Sequence, residues 1–356
     1  LHKEYRRQRQ MCIRDSIKAR RKMENMLRLV TGRIGCGKTA RIYEEIRKKT
    51  EQGGEVTLVV PEQYSFHTEK KMLEMLGARG ADRVNVVSFS FLAKNLLKKY
   101  GLNYEKSLDD STRAMLMSVA LDEAGDDLQV YSRHRYSPAV ILQMLKTLKD
   151  FRQCSVTSDK IEETLAKLKP SLLKDKLGEI LLIDRTYTAL VEQNYFDDDC
   201  ALDILCDVLD EHRDFDGAEV FVDGFRGFTA QEYAVLERIM RQSAETWVTL
   251  CVDKADDEFG VFAHTFRTKR KLIRCAQKSG TDIAKPELLT RDGSIDPELN
   301  ALEKGLYSGG AEIYGEKTKK ITLCSAEDFE SECEFVACTI KRLIRTENIR
   351  CRDIAV

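Results

Sequence analysis

The chain has 356 residues, 33% of them charged, and a formal net charge of −1. A chain of this length buries a sizeable core and is long enough for two domains. No apolar run approaches the roughly 18 residues that a membrane-spanning helix needs, which argues against a membrane protein. The composition predicts a helix-rich α/β protein. The eleven cysteines are scattered and no signal peptide precedes them, so we expect reduced, buried thiols and a cytoplasmic location.

The first 25 residues are strongly basic, with nine Lys or Arg against three Asp or Glu. Such an arm is typical of nucleic-acid contacts, and a transit peptide is a second interpretation. We favour a third, because RRQRQMCIRDS resembles a translated sequencing-adaptor string. On this interpretation residues 1–25 are a non-native leader, and the native start is Met26 or Met23.

Residues 26–106 alternate short apolar strands with helices. The predicted strands are LRLVT at 27–31, EVTLVV at 55–60 and VNVVSF at 84–89, each followed by a helical pattern. Strands separated by helices of this length predict a parallel, doubly wound sheet. This segment is the first part of the predicted core.

Residues 107–213 have no strand pattern, and their apolar residues recur at three- and four-residue spacing. We predict a large all-helical insertion here. The sheet resumes in residues 214–310, with strands at 219–225 and 246–253. Residues 311–356 are predicted to begin a second subdomain, with strands at 319–326 and 353–356. Because the last strand has no continuation, we expect the chain to be a fragment of a longer protein.

A complete phosphate-loop motif, GRIGCGKT, lies at residues 32–39 between a predicted strand and a predicted helix. Glycines let the backbone amides turn inward around phosphates, and the helix amino end adds partial positive charge. Lys38 is predicted to reach the β- and γ-phosphates of ATP, and the Thr39 hydroxyl to bind Mg²⁺. The predicted nucleotide-binding residues are Gly32, Gly35, Cys36, Gly37, Lys38 and Thr39.

The strand VFVD ends in Asp223, which is the second predicted Mg²⁺ ligand. In a working phosphate-loop motor the next residue orients the attacking water. Here that residue is Gly224, which has no side chain. The sequence therefore predicts that ATP is bound with slow or absent turnover.

Several strings occur together in a characteristic order: the phosphate loop, LVVPEQYSF at 58–66, NVVSFSFLAKNLL at 85–97 and VFVDGFRGFTAQEYAVLERIM at 220–240. From about Met26 to the end, the chain resembles the N-terminal region of the AddB family of bacterial helicase-nuclease subunits. The resemblance implies a superfamily 1 helicase-like phosphate-loop fold. It also implies an AddA-like motor and nuclease subunit as partner, and the processing of double-strand DNA ends for recombinational repair.

The same resemblance implies a C-terminal nuclease domain and an iron-sulfur cluster, both beyond Val356. In such a fold the loops after the second and third strands contact single-stranded DNA. The candidate DNA-binding residues are Gln63, Tyr64, Ser88 and Ser90. Phe66 either stacks on a base or packs against the next helix, and Phe89 and Phe91 are expected in the core.

Two charged runs have two interpretations each. FRTKRKLIR at 266–274 either holds phosphates or is the solvated face of a helix, and we favour the second. FDDD at 196–199 is interpreted as a loop or helix cap rather than a metal site. For the whole chain, the alternatives to a DNA-repair subunit are a phosphate-loop NTPase or kinase acting on a small molecule, and a structural ATP-binding scaffold.

Overall fold

The computed structural model describes residues 25–102, 108–253, 260–290, 296–306 and 313–356. The predicted leader, apart from Asn25, lies outside the described residues. The chain divides into two compact units, residues 1–291 and 292–356. The sequence had suggested a division near residue 310.

The first unit contains one parallel sheet. Its five longer strands occur where the sequence predicted them: β1 (Met26–Gly32), β2 (Val56–Val59), β3 (Val84–Val87), β4 (Glu219–Val222) and β5 (Glu245–Cys251). The strand order is β3-β2-β4-β5-β1-β6, where β6 is Asp282–Ile283, and the short β7 (Glu287–Leu288) also pairs with β1. Every strand pair among the described residues is parallel, which confirms the predicted sheet.

Both faces of the sheet are buried. Successive side chains of a strand point to opposite faces, and in the central strands each set joins an apolar core. In β4, Val220 and Val222 contribute to one apolar core and Phe221 to the other. In β5, Val248 belongs to the first core and Trp247 to the second. This two-sided burial explains the nearly continuous apolar runs of the strands.

Helices cover the two faces. On one face lie α1 (Lys38–Glu51) and α2 (Ser65–Ala81), whose buried side chains include Ile42, Ile46 and Met72. On the other face lies α3 (Phe89–Lys99).

The described residues between α3 and β4 contain five α-helices. They are α4 (Asp110–Glu123), α5 (Pro138–Gln153), α6 (Ser158–Lys167), α7 (Leu172–Asn194) and α8 (Ala201–Glu211). Helices α4, α5 and α7 build a separate apolar core that includes Met117, Met144 and Ile183. Helix α8 instead joins the core of the sheet through Leu205 and Leu209. The helical insertion is therefore present, but its last helix packs against the sheet core.

After β4 come α9 (Ala230–Gln242) and, after β5, α10 (Ala263–Ser279), which pack against each other on the same face as α3. The strands β6 and β7 were missed in the sequence, where residues 256–310 appeared as helix and loop. Each contains only two residues, so neither produces a recognisable alternation of apolar and polar side chains.

The acidic run 196–199 forms the junction between the insertion and α8. The Asp197 side chain is 5% exposed and pairs with Arg113 of α4 at 2.9 Å and with Arg152 of α5. Asp199 pairs with Arg113 at 2.7 Å and with Lys149 at 3.3 Å. The run is thus a buried ionic junction as well as a cap, since Asp197 also accepts a hydrogen bond from the Asp199 amide.

The second unit contains α11 (Pro297–Gly305) and α12 (Phe329–Thr346). The predicted strands at 319–326 and 353–356 are wrong for the described residues of this unit. A strand requires a neighbour that takes its backbone hydrogen bonds, and neither segment pairs with one.

Across the described ranges, no helix combines the length and the apolar character that a membrane span requires.

We predict that Asp197→Ala lowers the free energy of unfolding by about 3 kcal/mol, because it leaves two mostly buried arginines without this carboxylate. Urea unfolding followed by circular dichroism measures the effect. Asp127→Ala, at an exposed carboxylate of the same insertion, is the control and should change stability by less than about 0.5 kcal/mol. Equal effects of the two substitutions would show that the junction does not stabilise the fold.

Candidate nucleotide and DNA site

The phosphate loop joins the end of β1 to the start of α1. Gly32, Gly35 and Gly37 have φ values of 152°, 73° and 87°. A Cβ atom on Gly32 would lie 2.4 Å from Cys36 Sγ and 2.5 Å from the Leu289 carbonyl oxygen. Glycine is therefore required at position 32 by both conformation and space. The Cys36 side chain fills this space.

The Lys38 side chain folds back onto the phosphate loop and binds its backbone carbonyls. Its ammonium donates hydrogen bonds to the carbonyl oxygens of Gly32 at 2.9 Å and Arg33 at 2.7 Å, and lies 3.8 Å from Cys36 Sγ. The loop is braced on its other side because Arg33 donates to Asp253, which follows β5, at 2.8 Å. A phosphate group can replace the two carbonyls as partner of Lys38, since charged acceptors make the stronger hydrogen bonds.

The amino end of α1 completes the phosphate-binding geometry. The first turn of α1 contains no acidic residue, so its partial positive charge is not cancelled. Thr39 is exposed in this turn, where its hydroxyl is available to a ligand. Residues 32–39 fit the phosphates of a nucleoside triphosphate, because they combine glycines, an ammonium group and a helix amino end.

Asp223 directly follows β4 at the same edge of the sheet. It is 6% exposed, and one carboxylate oxygen accepts a hydrogen bond from the Thr249 hydroxyl of β5. Tyr43 lies one turn beyond Thr39 on α1. Burial raises the pKa of Tyr43, a hydrogen bond with Thr68 lowers it, and the charge of Asp223 raises it further. Asp223 and the start of α1 both follow strands of the same parallel sheet, and carboxylate and hydroxyl oxygens are ligands that suit Mg²⁺.

Gly224, which follows Asp223, has a left-handed backbone conformation. Its φ is +84°, and a Cβ atom there would lie 3.3 Å from Pro61 Cδ and 3.9 Å from Tyr64 Cδ2. The neighbouring strands fix this approach, since the Asp223 amide donates to the Val59 carbonyl oxygen at 3.0 Å. The residue after Asp223, where the sequence analysis looked for a catalytic base, is thus a left-handed glycine that packs against the loop after β2.

That loop exposes the residues predicted to bind DNA. Glu62–Tyr64 form one turn of 3₁₀ helix after Pro61. Gln63 is exposed, Tyr64 is 50% exposed and Phe66 is 80% exposed. The interpretation that Phe66 packs against the next helix is therefore wrong, and the aromatic side chain is open to a stacking partner.

The loop after β3 differs from the prediction at two residues. Ser88 is 5% exposed, and its hydroxyl caps α3 by accepting from the Phe91 amide at 3.1 Å, so it is not presented to a ligand. Ser90 is exposed. Phe89 is buried as expected, but Phe91 is 51% exposed. The buried face of α3 follows Phe89 at helical spacing, and Phe91 is two residues away, on the opposite side.

A cleft of about 1200 Å³ lies beside these loops. One wall is the outer face of α3, and the others come from the Glu62 loop, α5, the acidic junction and the start of α9. Gln231 of α9 fixes the junction wall by donating to the Asp199 carbonyl oxygen at 3.1 Å and to Asp203 at 2.7 Å. The side chains that could contact a nucleic acid in this cleft are Ser90, Phe91, Lys94, Lys98, Lys149 and Gln153.

No group of three or more His, Cys, Asp or Glu side chains that could hold a metal ion occurs among the residues the structure describes. The ten cysteines in those ranges are free thiols. Only Cys206 and Cys275 are buried, and burial raises their pKa values to about 12 and about 11. The expectation of buried thiols is wrong for Cys154 and the four cysteines beyond residue 320, which are exposed.

Residues 29–303 match the sequence profile of a family described as ADDB, N-terminal. The chain belongs to this family. Three relatives, each named as part of an ATP-dependent helicase/deoxyribonuclease, show the extent of the similarity. Those of Caldanaerobacter subterraneus subsp. tengcongensis and Thermoanaerobacter sp. are each 32% identical over 339 residues. That of Clostridium acetobutylicum is 30% identical over 338 residues.

These matches cover 93% of the chain but only 29 to 30% of each relative. The ADDB region seen here thus corresponds to less than a third of the length of those proteins. The resemblance recognised in the sequence is confirmed.

Two residues of the candidate site were missed in the sequence. Thr249 lies within an apolar strand, and only the parallel pairing of β4 with β5 places it beside Asp223. Phe91 was counted as core because its neighbours are apolar. A helical wheel started at the Ser88 cap would have placed it outside.

We predict that Gly224→Glu does not create an ATPase. The glutamate would occupy a left-handed backbone conformation against Pro61, and should lower the free energy of unfolding by about 1 to 3 kcal/mol. Gly280→Glu is a matched control, because Gly280 has a φ of +70° and nothing within 4 Å of a Cβ position. Phosphate release and urea unfolding are measured for both. A rise of about tenfold in Lys38-dependent hydrolysis for Gly224→Glu would contradict the prediction.

Proposed function

We propose that this chain binds Mg²⁺ and ATP at residues 32–39 and Asp223, with little or no turnover, and holds single-stranded DNA in the cleft beside α3. It does so as the N-terminal region of a helicase-nuclease component that processes double-strand DNA ends for repair. The phosphate loop and Asp223, brought to one edge of a parallel sheet, are the observation that carries this proposal.

The nucleotide part rests on Lys38, Thr39 and Asp223. When bound, Mg²⁺ neutralises phosphate charge. Lys38 would exchange its two loop carbonyls for phosphate oxygens, and Thr39 and Asp223 would hold the metal ion. Thr249 orients the Asp223 carboxylate. With Gly224 after Asp223, the site holds a nucleotide but has no carboxylate at that position to activate water.

The DNA part rests on the cleft wall. Exposed aromatic side chains stack on bases of any sequence, and basic residues beside them contact the backbone. Phe91 has this exposure, and Lys94 and Lys98 lie one and two turns further along α3. Gln63 and Tyr64 extend the surface toward Gly224. Single-stranded DNA fits better than a small molecule, because this cleft of about 1200 Å³ is lined by several separate elements.

The relatives are each named as one subunit of a larger helicase/deoxyribonuclease, which motivates the partner. We propose that the chain acts with a second, AddA-like protein that supplies a motor and nuclease. Pull-down of that protein by the full-length form of this chain tests this step.

For the nucleotide, we expect Lys38→Ala to weaken binding of a fluorescent ATP analogue about tenfold or more, because one charge-assisted contact is lost. Fluorescence titration in the presence of Mg²⁺ measures the affinity. Lys48→Ala, an exposed lysine of the same helix, is the control. Equal binding by the two variants would refute nucleotide binding by the loop.

For DNA, we expect Phe91→Ala to weaken binding of a fluorescent oligothymidine about fivefold or more, since one stacked base loses its partner. Anisotropy titration at fixed salt measures this effect. Leu142→Ala is the control, because Leu142 is 62% exposed and does not line the cleft. Unchanged affinity of Phe91→Ala would exclude the α3 wall as the path of the strand.

A further inference from the structure

Helix α10 has an unusual charge distribution. Its sequence AHTFRTKRKLIRCAQKS contains six Lys or Arg and no Asp or Glu. This is the helix predicted from the basic stretch at 266–274. Four of its cations recur at steps of four, three and four residues and are exposed, and we call them the basic stripe: Arg267, Lys271, Arg274 and Lys278.

The basic stripe is the solvent side of an anchored helix. The opposite side buries Thr268, Leu272 and Ala276 against the sheet core and α9. At 1.5 Å per residue, the stripe extends over about 16 Å. The helix is fixed in place, so the four charges are presented together on a rigid element.

Within the described ranges, no carboxylate forms an ion pair with a stripe residue. Arg267 donates to the Ala263 carbonyl oxygen of its own helix at 3.2 Å, and Lys271 lies 5.3 Å from the centre of the Tyr233 ring. The interpretation of this stretch as a merely solvated face leaves the lack of acidic residues unexplained. Solvated helices usually alternate the signs of their charges to gain i,i+4 pairs.

One loop contacts both helix α10 and the cleft. Residues 224–229 leave Asp223, and the Arg226 carbonyl oxygen accepts a hydrogen bond from Thr268 of α10 at 3.4 Å. Arg226 itself is exposed. The loop ends at Thr229, which lines the cleft. The same short segment thus contacts the buried side of α10 and ends at the cleft.

The chemistry of the stripe differs from that of the cleft. The cleft has an exposed aromatic ring for unstacked bases, whereas the exposed side of α10 has only cations and His264 among its charged or aromatic groups. A row of cations without a stacking ring recognises a phosphate backbone and not bases. Duplex DNA presents such a backbone with its bases stacked inside.

We propose that the basic stripe of α10 is a second nucleic-acid surface, which binds the phosphate backbone of duplex DNA next to the single-strand cleft. This inference rests on the proposed function, because the duplex would be the DNA whose separated strand enters the cleft.

The test compares two triple variants of the full chain. The stripe variant is Arg267→Gln, Lys271→Gln and Arg274→Gln. The control is Lys160→Gln, Lys167→Gln and Lys169→Gln, which removes the same charge from three exposed lysines of the insertion. Binding of a fluorescent hairpin duplex is measured as a function of salt, and binding of oligothymidine at one salt concentration. Circular dichroism checks that both variants are folded.

We expect the stripe variant to lose about tenfold or more in duplex affinity, and its logarithmic salt slope to fall by about 2 to 3, since each phosphate contact contributes about 0.9. The control should keep the slope of the unmodified chain. Equal slopes for the two variants would overturn the inference. So would loss of binding to the AddA-like protein without loss of duplex binding, which would make the stripe a protein interface.

The two proposals fail separately. If oligothymidine binds through Phe91 but the duplex does not bind, the proposal that the basic stripe binds duplex DNA is wrong and the proposed function stands. If the duplex binds through the stripe but Phe91→Ala changes nothing, the cleft is wrong and the stripe stands.

Discussion

The parallel arrangement of the five strands β1, β2, β3, β4 and β5 is the constraint on which the rest of the structure depends. Because parallel strands end at one edge, the segments that follow β1, β2, β3, β4 and β5 all emerge side by side. This arrangement brings five features from distant parts of the chain to one edge: the phosphate loop, the Glu62 turn, the α3 cap, Asp223 and Asp253. The order also places β5 between the loop strand and β4, so that Thr249 reaches Asp223 from the intervening strand.

Gly224 connects the two parts of the proposed site. In the sequence it is only the absence of a catalytic glutamate. In the structure it is a close backbone contact between the end of β4 and the loop at Pro61. The missing side chain at Gly224 and the closeness of the Pro61 loop go together, because a larger residue would be strained at this φ and would approach Pro61. This contact brings the proposed nucleotide site next to the loop that we propose contacts DNA.

The sequence predicted the five long strands, the phosphate loop and the helical insertion, because apolar runs, glycines and helical spacing are local signals. It failed where the outcome depends on a partner in space. Residues 319–326 have a strand-like composition but no pairing strand among the described residues of their unit. Phe91 is apolar but faces outward. Helix α8 belongs to the insertion in sequence but packs against the core of the sheet. Asp197 looked like a cap, and only the folded insertion brings Arg113 and Arg152 to it.

The claim that this site binds ATP without hydrolysing it is tested most directly by a single-turnover measurement. The chain, in excess over radiolabelled ATP and with Mg²⁺ present, is followed for bound nucleotide and released phosphate, beside the Lys38→Ala variant. We expect Lys38-dependent binding, with phosphate release no faster than in the variant. Phosphate release that accompanies binding and disappears in Lys38→Ala would contradict it.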